Sequence, residues 1–108
     1  MTVNKLILAA ASLAIFLCGP AFAGDPAAGQ KLSQACMACH GPDGNSPAPD
    51  FPKIAGQHYD YLVKALKDYK AGTRKSPIMA PMVANLTPRD IEDLAAYYSS
   101  QKGLVLKY

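Results

Sequence analysis

Between residues 58 and 71, in HYDYLVKALKDYKA, the apolar positions Tyr59, Leu62, Leu66 and Tyr69 recur at steps of three and four, with lysines and aspartates between them. This spacing predicts an amphipathic helix from His58 to Ala71, and Gly72 directly after it supplies a stop. A second stripe, Ile91, Leu94, Ala95 and Tyr98 with Tyr97 flanking it, predicts a last helix ending near Lys102-Gly103. Thr87-Pro88 opens that helix, and Asp90 stands at the third helical position for a capping-box exchange. Asp25-Pro26 gives a similar start, an oxygen cap followed by proline, for a helix from Pro26 to about Ala38. No stretch alternates with a two-residue period for long, so no sheet is expected, and no internal repeat is visible. The predicted class is all-α, with three main helices.

The segments between the helices are long. Residues 41–57 carry Pro42, Pro47, Pro49 and Pro52 together with three glycines, and two prolines punctuate TRKSPIMAPMVANL, residues 73–86. Irregular loops of this length inside a small domain are usually functional. The first holds few apolar groups of its own, chiefly Phe51 and Ile54, so something else is expected to order it.

The start of the chain has a different pattern. Lys5 precedes an unbroken apolar run, LILAAASLAIFLC, then Gly19-Pro20 and Ala21-Phe22-Ala23. A charged start, a short apolar core and an A-x-A end describe a secretory signal peptide over residues 1–23, cleaved after Ala23. A membrane anchor is the alternative, but a span needs ~20 apolar residues and this run is shorter. Cys18 raises the thought of a lipid-modified cysteine, which Leu17 disfavours, since such sites want a small residue there. Residues 24–108 then form one domain, with no stable membrane insertion after cleavage and a periplasmic location. Without Lys5 the formal net charge falls from +3 to +2. That balance is mild and dispersed, which argues against nucleic-acid binding. A domain this small often needs a staple such as a metal or cofactor.

Export sharpens the question of Cys36 and Cys39, because two thiols outside the cytoplasm oxidise unless something claims them. They stand in Cys36-Met37-Ala38-Cys39-His40. A thioredoxin-type dithiol belongs at a strand-to-helix junction, and no strand precedes Cys36. A structural zinc site wants four ligands, and beyond this motif only His58 offers itself. Covalent haem fits best. Two cysteines on one helical turn can each form a thioether, and the next histidine can face the iron. Haem would also provide the missing core and give the proline-rich loop something to wrap. Met79, Met82 and His58 are the candidates for a sixth ligand. A thioether opposite histidine raises the potential of a haem, as electron transfer wants. Against this, most methionines are gap-filling packing, and His58 reads as an exposed helix-start residue.

The segments GQKLSQACMACHGPDGNSPAPDFPKIAGQ, YLVKALKDYKAGTRKSPIMAPMVANLT and DIEDLAAYYSSQ together resemble the class I c-type cytochromes. The likeness is to the small bacterial c553/c5 type and to one half of cytochrome c4, and it spans nearly all of residues 24–108. It implies long loops wrapped around one covalently bound haem c. Cys36 and Cys39 would carry the thioethers, and His40 and Met79 would be the axial iron ligands. Met79 lies eight positions before Thr87, as the family's ligand methionine does before the cap of its last helix, which leaves Met82 as packing. The Pro52 carbonyl would accept a hydrogen bond from His40, fixing its tautomer. Gly29 would let the first and last helices cross closely against Leu94 and Tyr97. Arg74 and Lys75 would approach the haem propionates, or else belong to a solvated loop. Cytochrome c4 continues into a second haem domain, whereas this sequence ends at Tyr108, so one haem is expected.

Three functions compete. A six-coordinate haem has no vacant position, so the first is an electron carrier without substrate chemistry, docking with redox partner proteins. The second is the cytochrome subunit of a larger periplasmic oxidoreductase, such as a flavoprotein sulfide dehydrogenase. The fold serves both, and the apolar GLVLKY and SPIMAPMV segments are candidate subunit contacts. The third, a haem enzyme or gas-binding protein, requires that Met79 not bind.

Overall fold

A computed structural model of the chain describes residues 24–107 and, apart from them, Ser12. The expected signal peptide, with its cleavage point and Cys18, lies outside the described residues. Among these residues there are five helices and no strand: α1 Pro26–Leu32, α2 Gln34–His40, α3 Tyr59–Ala71, α4 Met79–Val83 and α5 Pro88–Ser99.

The all-α class and the three main helical regions are as expected, but several boundaries differ. The single helix expected from Pro26 to Ala38 is two. Ser33 separates them, because its hydroxyl donates back to the Gln30 carbonyl at 2.6 Å and its own N–H makes a long three-residue turn bond to the same oxygen at 3.3 Å. A buried serine bonding backwards in this way competes with the regular ladder. The second piece runs on to His40 and stops where Gly41 turns to a φ of +80°. At the other end, α5 stops at Ser99, short of Lys102-Gly103. There the Tyr98 carbonyl accepts from Gly56 in the first long loop, at 2.9 Å, and the chain turns back so that the Leu104 N–H meets the Ala55 carbonyl at 2.7 Å.

α3 begins after His58 and ends at Gly72 in the left-handed conformation, as read from the sequence. α5 carries both arms of its capping box, Thr87 to the Asp90 N–H and Asp90 to the Thr87 N–H. The short α4 was not expected. Its cue is a third oxygen-cap-plus-proline pair, Ser76-Pro77: the Ser76 hydroxyl accepts from the Met79 N–H at 3.0 Å, and its carbonyl accepts from Ala80.

α1 lies across α5. Gly29 is buried at the crossing, and a methyl added there would overlap the Asp93 carbonyl oxygen and crowd the Tyr97 Cβ. The close approach is therefore to Asp93 and Tyr97, where Leu94 and Tyr97 were expected; Leu94 turns into the core. The buried Asp93 carboxylate ties the crossing by accepting from the Asp25 N–H at 2.7 Å, and Arg89 pairs with it at 3.3 Å. The core, formed by Leu62 of α3 with Leu94, Ala95, Tyr97 and Tyr98 of α5, has Cys36 packed against it.

The 41–57 loop is more self-supporting than its apolar content suggested. The Gly44 carbonyl accepts from both Ile54 and Ala55, the Asn45 amide bridges Asp43 and the Lys102 carbonyl, and Tyr97 donates to the Pro42 carbonyl at 2.8 Å. Paired backbone groups order this loop where buried side chains do not.

Candidate haem site

α2, the second half of the first long loop, α3, α4 and α5 enclose one cavity of about 410 Å³. Its volume falls in the ~300–1,000 Å³ range of small-molecule sites. Its walls are mainly apolar, with Ile54, Leu62, Leu66 and Leu94 prominent, and Cys36, Cys39 and His40, three and four positions apart on α2, line one side. Both cysteines are free thiols and half-buried. Burial pushes the Cys36 thiol above its ordinary value. Dithiol redox chemistry needs the opposite, a thiolate favoured near neutrality.

His40 is 8% exposed, and its Nδ1 lies 2.8 Å from the Pro52 carbonyl oxygen. A carbonyl can only accept, so Nδ1 carries the proton and donates it. The Nε2 lone pair is then left free for a metal. The expected contact from Pro52 to His40 is thus present. Zinc fares badly: among the described residues no three His, Cys, Asp or Glu side chains are grouped to hold a metal ion. His58 caps α3 as an exposed residue and does not line the cavity.

Met79 and Met82 both line the cavity, from α4. Met79 is half-buried and anchored at its N–H by Ser76, whereas Met82 is 41% exposed. Met82, read from the family resemblance as packing, thus lines the same cavity with the more exposed side chain. The Arg74 guanidinium, also at the cavity, sits over the Tyr69 ring at 4.7 Å and donates to the Tyr61 hydroxyl at 3.2 Å. Lys75 does not line it, but Lys53 does, a cation the sequence reading passed over because it follows the proline of a loop without helical register.

Two thiols, a histidine with a fixed tautomer and a thioether side chain around one apolar cavity are a donor set suited to a covalently attached haem. A redox dithiol or a zinc ion would leave the cavity itself unexplained.

Comparison with known proteins agrees with this geometry. The family model for cytochrome c matches residues 26–102. The chain is 50% identical to cytochrome c4 of Pseudomonas aeruginosa over 100 residues, which cover 92% of this chain and 49% of that protein. It is 47% identical to cytochrome c-554(548) of Halomonas halodenitrificans over 83 residues, 74% of this chain and 100% of the relative. Among solved structures, reduced recombinant cytochrome c4 from Pseudomonas stutzeri superposes with a TM-score of 0.73 at 53% identity, covering 77% of this chain and 48% of that one. The chain thus spans about half the length of the cytochrome c4 proteins it matches. From the match over residues 26–102 and the identity with these relatives, the chain belongs to the cytochrome c family, whose members carry covalently bound haem c.

Proposed function

We propose that the chain is a periplasmic electron-transfer protein that cycles one haem iron between Fe(II) and Fe(III). The supporting observation is His40, buried near two free thiols and held by the Pro52 carbonyl through Nδ1, which leaves the Nε2 lone pair free for a metal. In this reading Cys36 and Cys39 would hold the haem covalently, and His40 and Met79 would supply the protein's ligands to the iron. The bound haem supplies a one-electron couple. The protein's own work is to fix ligands and exclude water. Pro52 holds the imidazole ring and raises its basicity. Leu62, Leu66 and Leu94 keep the cavity apolar, which favours the less charged reduced state. With His40 and Met79 both committed to the iron, no substrate would reach it, and the chain would act on redox partner proteins. Export with cleavage after Ala23 would place it in the periplasm; among the described residues no helix is long and apolar enough to cross a membrane.

A redox titration is expected to follow a single one-electron curve, and carbon monoxide is expected to leave the ferrous spectrum unchanged on mixing. Rapid carbon monoxide binding would mean an open iron and would favour gas binding or catalysis instead.

A second reading, the cytochrome subunit of a larger periplasmic oxidoreductase such as a flavoprotein sulfide dehydrogenase, is favoured by Ile78. That side chain is 62% exposed at the cavity, next to the exposed Met82. Native size exclusion of periplasmic extract separates the two: a carrier elutes alone, and a subunit co-elutes with a larger protein at moderate salt.

A further inference from the structure

Tyr98 lines the cavity from α5 and is 3% exposed, yet its hydroxyl has no hydrogen-bond partner. Buried polar groups are seldom left in this way, and each exception asks for an explanation. Its neighbour Tyr97 shows the contrast, since that hydroxyl is satisfied at the Pro42 carbonyl and its residue does not line the cavity.

Two groups lie near the Tyr98 oxygen. One is Ser33, whose proton goes to the Gln30 carbonyl at 2.6 Å and whose oxygen, though still able to accept, is not in bonding geometry with Tyr98. The other is Cys36, packed against the core that Tyr98 belongs to. Burial first, and then Cys36, raise the Tyr98 phenol well above its ordinary value, so it remains an O–H donor at any working pH. A free thiol can be a weak donor or a weak acceptor, but a thioether sulfur can only accept. Attachment at Cys36 would therefore turn a neighbour that can donate or accept into one that only accepts, beside a donor that has no partner in bonding geometry.

We propose that Tyr98 is a positioning residue for the haem, its hydroxyl donating to the Cys36 sulfur once the thioether has formed. The proposal rests on the attachment at Cys36 given above. A donor aimed at a haem substituent withdraws electron density and favours the reduced iron, so the contact tunes the potential as well as holding the sulfur.

The test compares haem-loaded wild type with Tyr98→Phe and Tyr97→Phe. Haem mass on the tryptic peptide containing Cys36 and Cys39 first checks the attachment, so failure there is separate from failure of this contact. Tyr98→Phe is expected to lower the reduction potential and the melting temperature. Tyr97→Phe, which loses the Pro42 bond away from the cavity, is expected to lower the melting temperature alone. A Tyr98→Phe protein with unchanged or raised potential would overturn the proposal. Should that variant not load haem, wild-type ferrous protein decides by NMR. A slowly exchanging Tyr98 hydroxyl proton with contacts to the Cys36 β-protons supports the contact. A rapidly exchanging proton, or one in contact with Ser33 instead, overturns it.

Discussion

Replacing Met79 by alanine in the haem-loaded protein is expected to lower the reduction potential by on the order of 0.1 V or more, a fraction of the ~0.8 V that axial ligands span. The same change should let carbon monoxide bind the ferrous iron. Met82→Ala should do neither. The two methionines lie three positions apart on α4 and line one cavity, so their type and location do not distinguish them. What favours Met79 is its support. It is half-buried, and its N–H is held by the Ser76 hydroxyl, whereas Met82 is 41% exposed. A thioether ligand stabilises the reduced iron and is itself a weak donor, so a backbone anchor that keeps it in place costs less to maintain than a flexible exposed one. If Met82→Ala produces the larger fall in potential, the ligand assignment is reversed.

Gly29→Ala is expected to destabilise the protein by up to about 2 kcal/mol, because overpacking costs ~1–3 kcal/mol and the gain in helix propensity returns ~1. The neighbour that the new methyl meets is the Asp93 carbonyl, part of the α5 backbone, which cannot swing aside as a flexible side chain would. For a domain of this size that loss corresponds to a fall in melting temperature on the order of 10 °C. The same crossing holds the Asp25 N–H on the buried Asp93 carboxylate, so displacing α1 also strips a partner from a buried charge. Thermal unfolding of the loaded variant measures this directly; an unchanged midpoint would mean that the two helices are not in the close contact described.

The main helices were legible from two cues, an oxygen cap before proline at α1 and α5 and an apolar stripe with one period in α3 and α5. Asp25-Pro26 and Thr87-Pro88 were read in this way. The same cue at Ser76-Pro77 went unread, since α4 is too short to show a stripe and Pro81 interrupts it. The break at Ser33 was invisible for a different reason: a serine within an apolar-periodic segment reads as a tolerated helix residue until its hydroxyl is seen to bond backwards. Cys36, Cys39 and His40 were legible as a motif, and the Pro52 contact only through family resemblance, because nothing in a proline's local sequence says what its carbonyl accepts. Lys53 at the cavity and the orphaned hydroxyl of Tyr98 were not legible at all. Tyr97 and Tyr98 are adjacent on one helix with their rings 5.0 Å apart, and only packing tells the satisfied hydroxyl from the unsatisfied one.

The central claim is that Cys36 and Cys39 hold a single haem, and intact mass spectrometry of the protein purified from its native host tests it most directly. The expected mass is that of residues 24–108 plus one haem, retained after denaturation and acid extraction. A mass without haem and two hydrogens lighter than the reduced chain would show Cys36 and Cys39 joined to each other, and would contradict it.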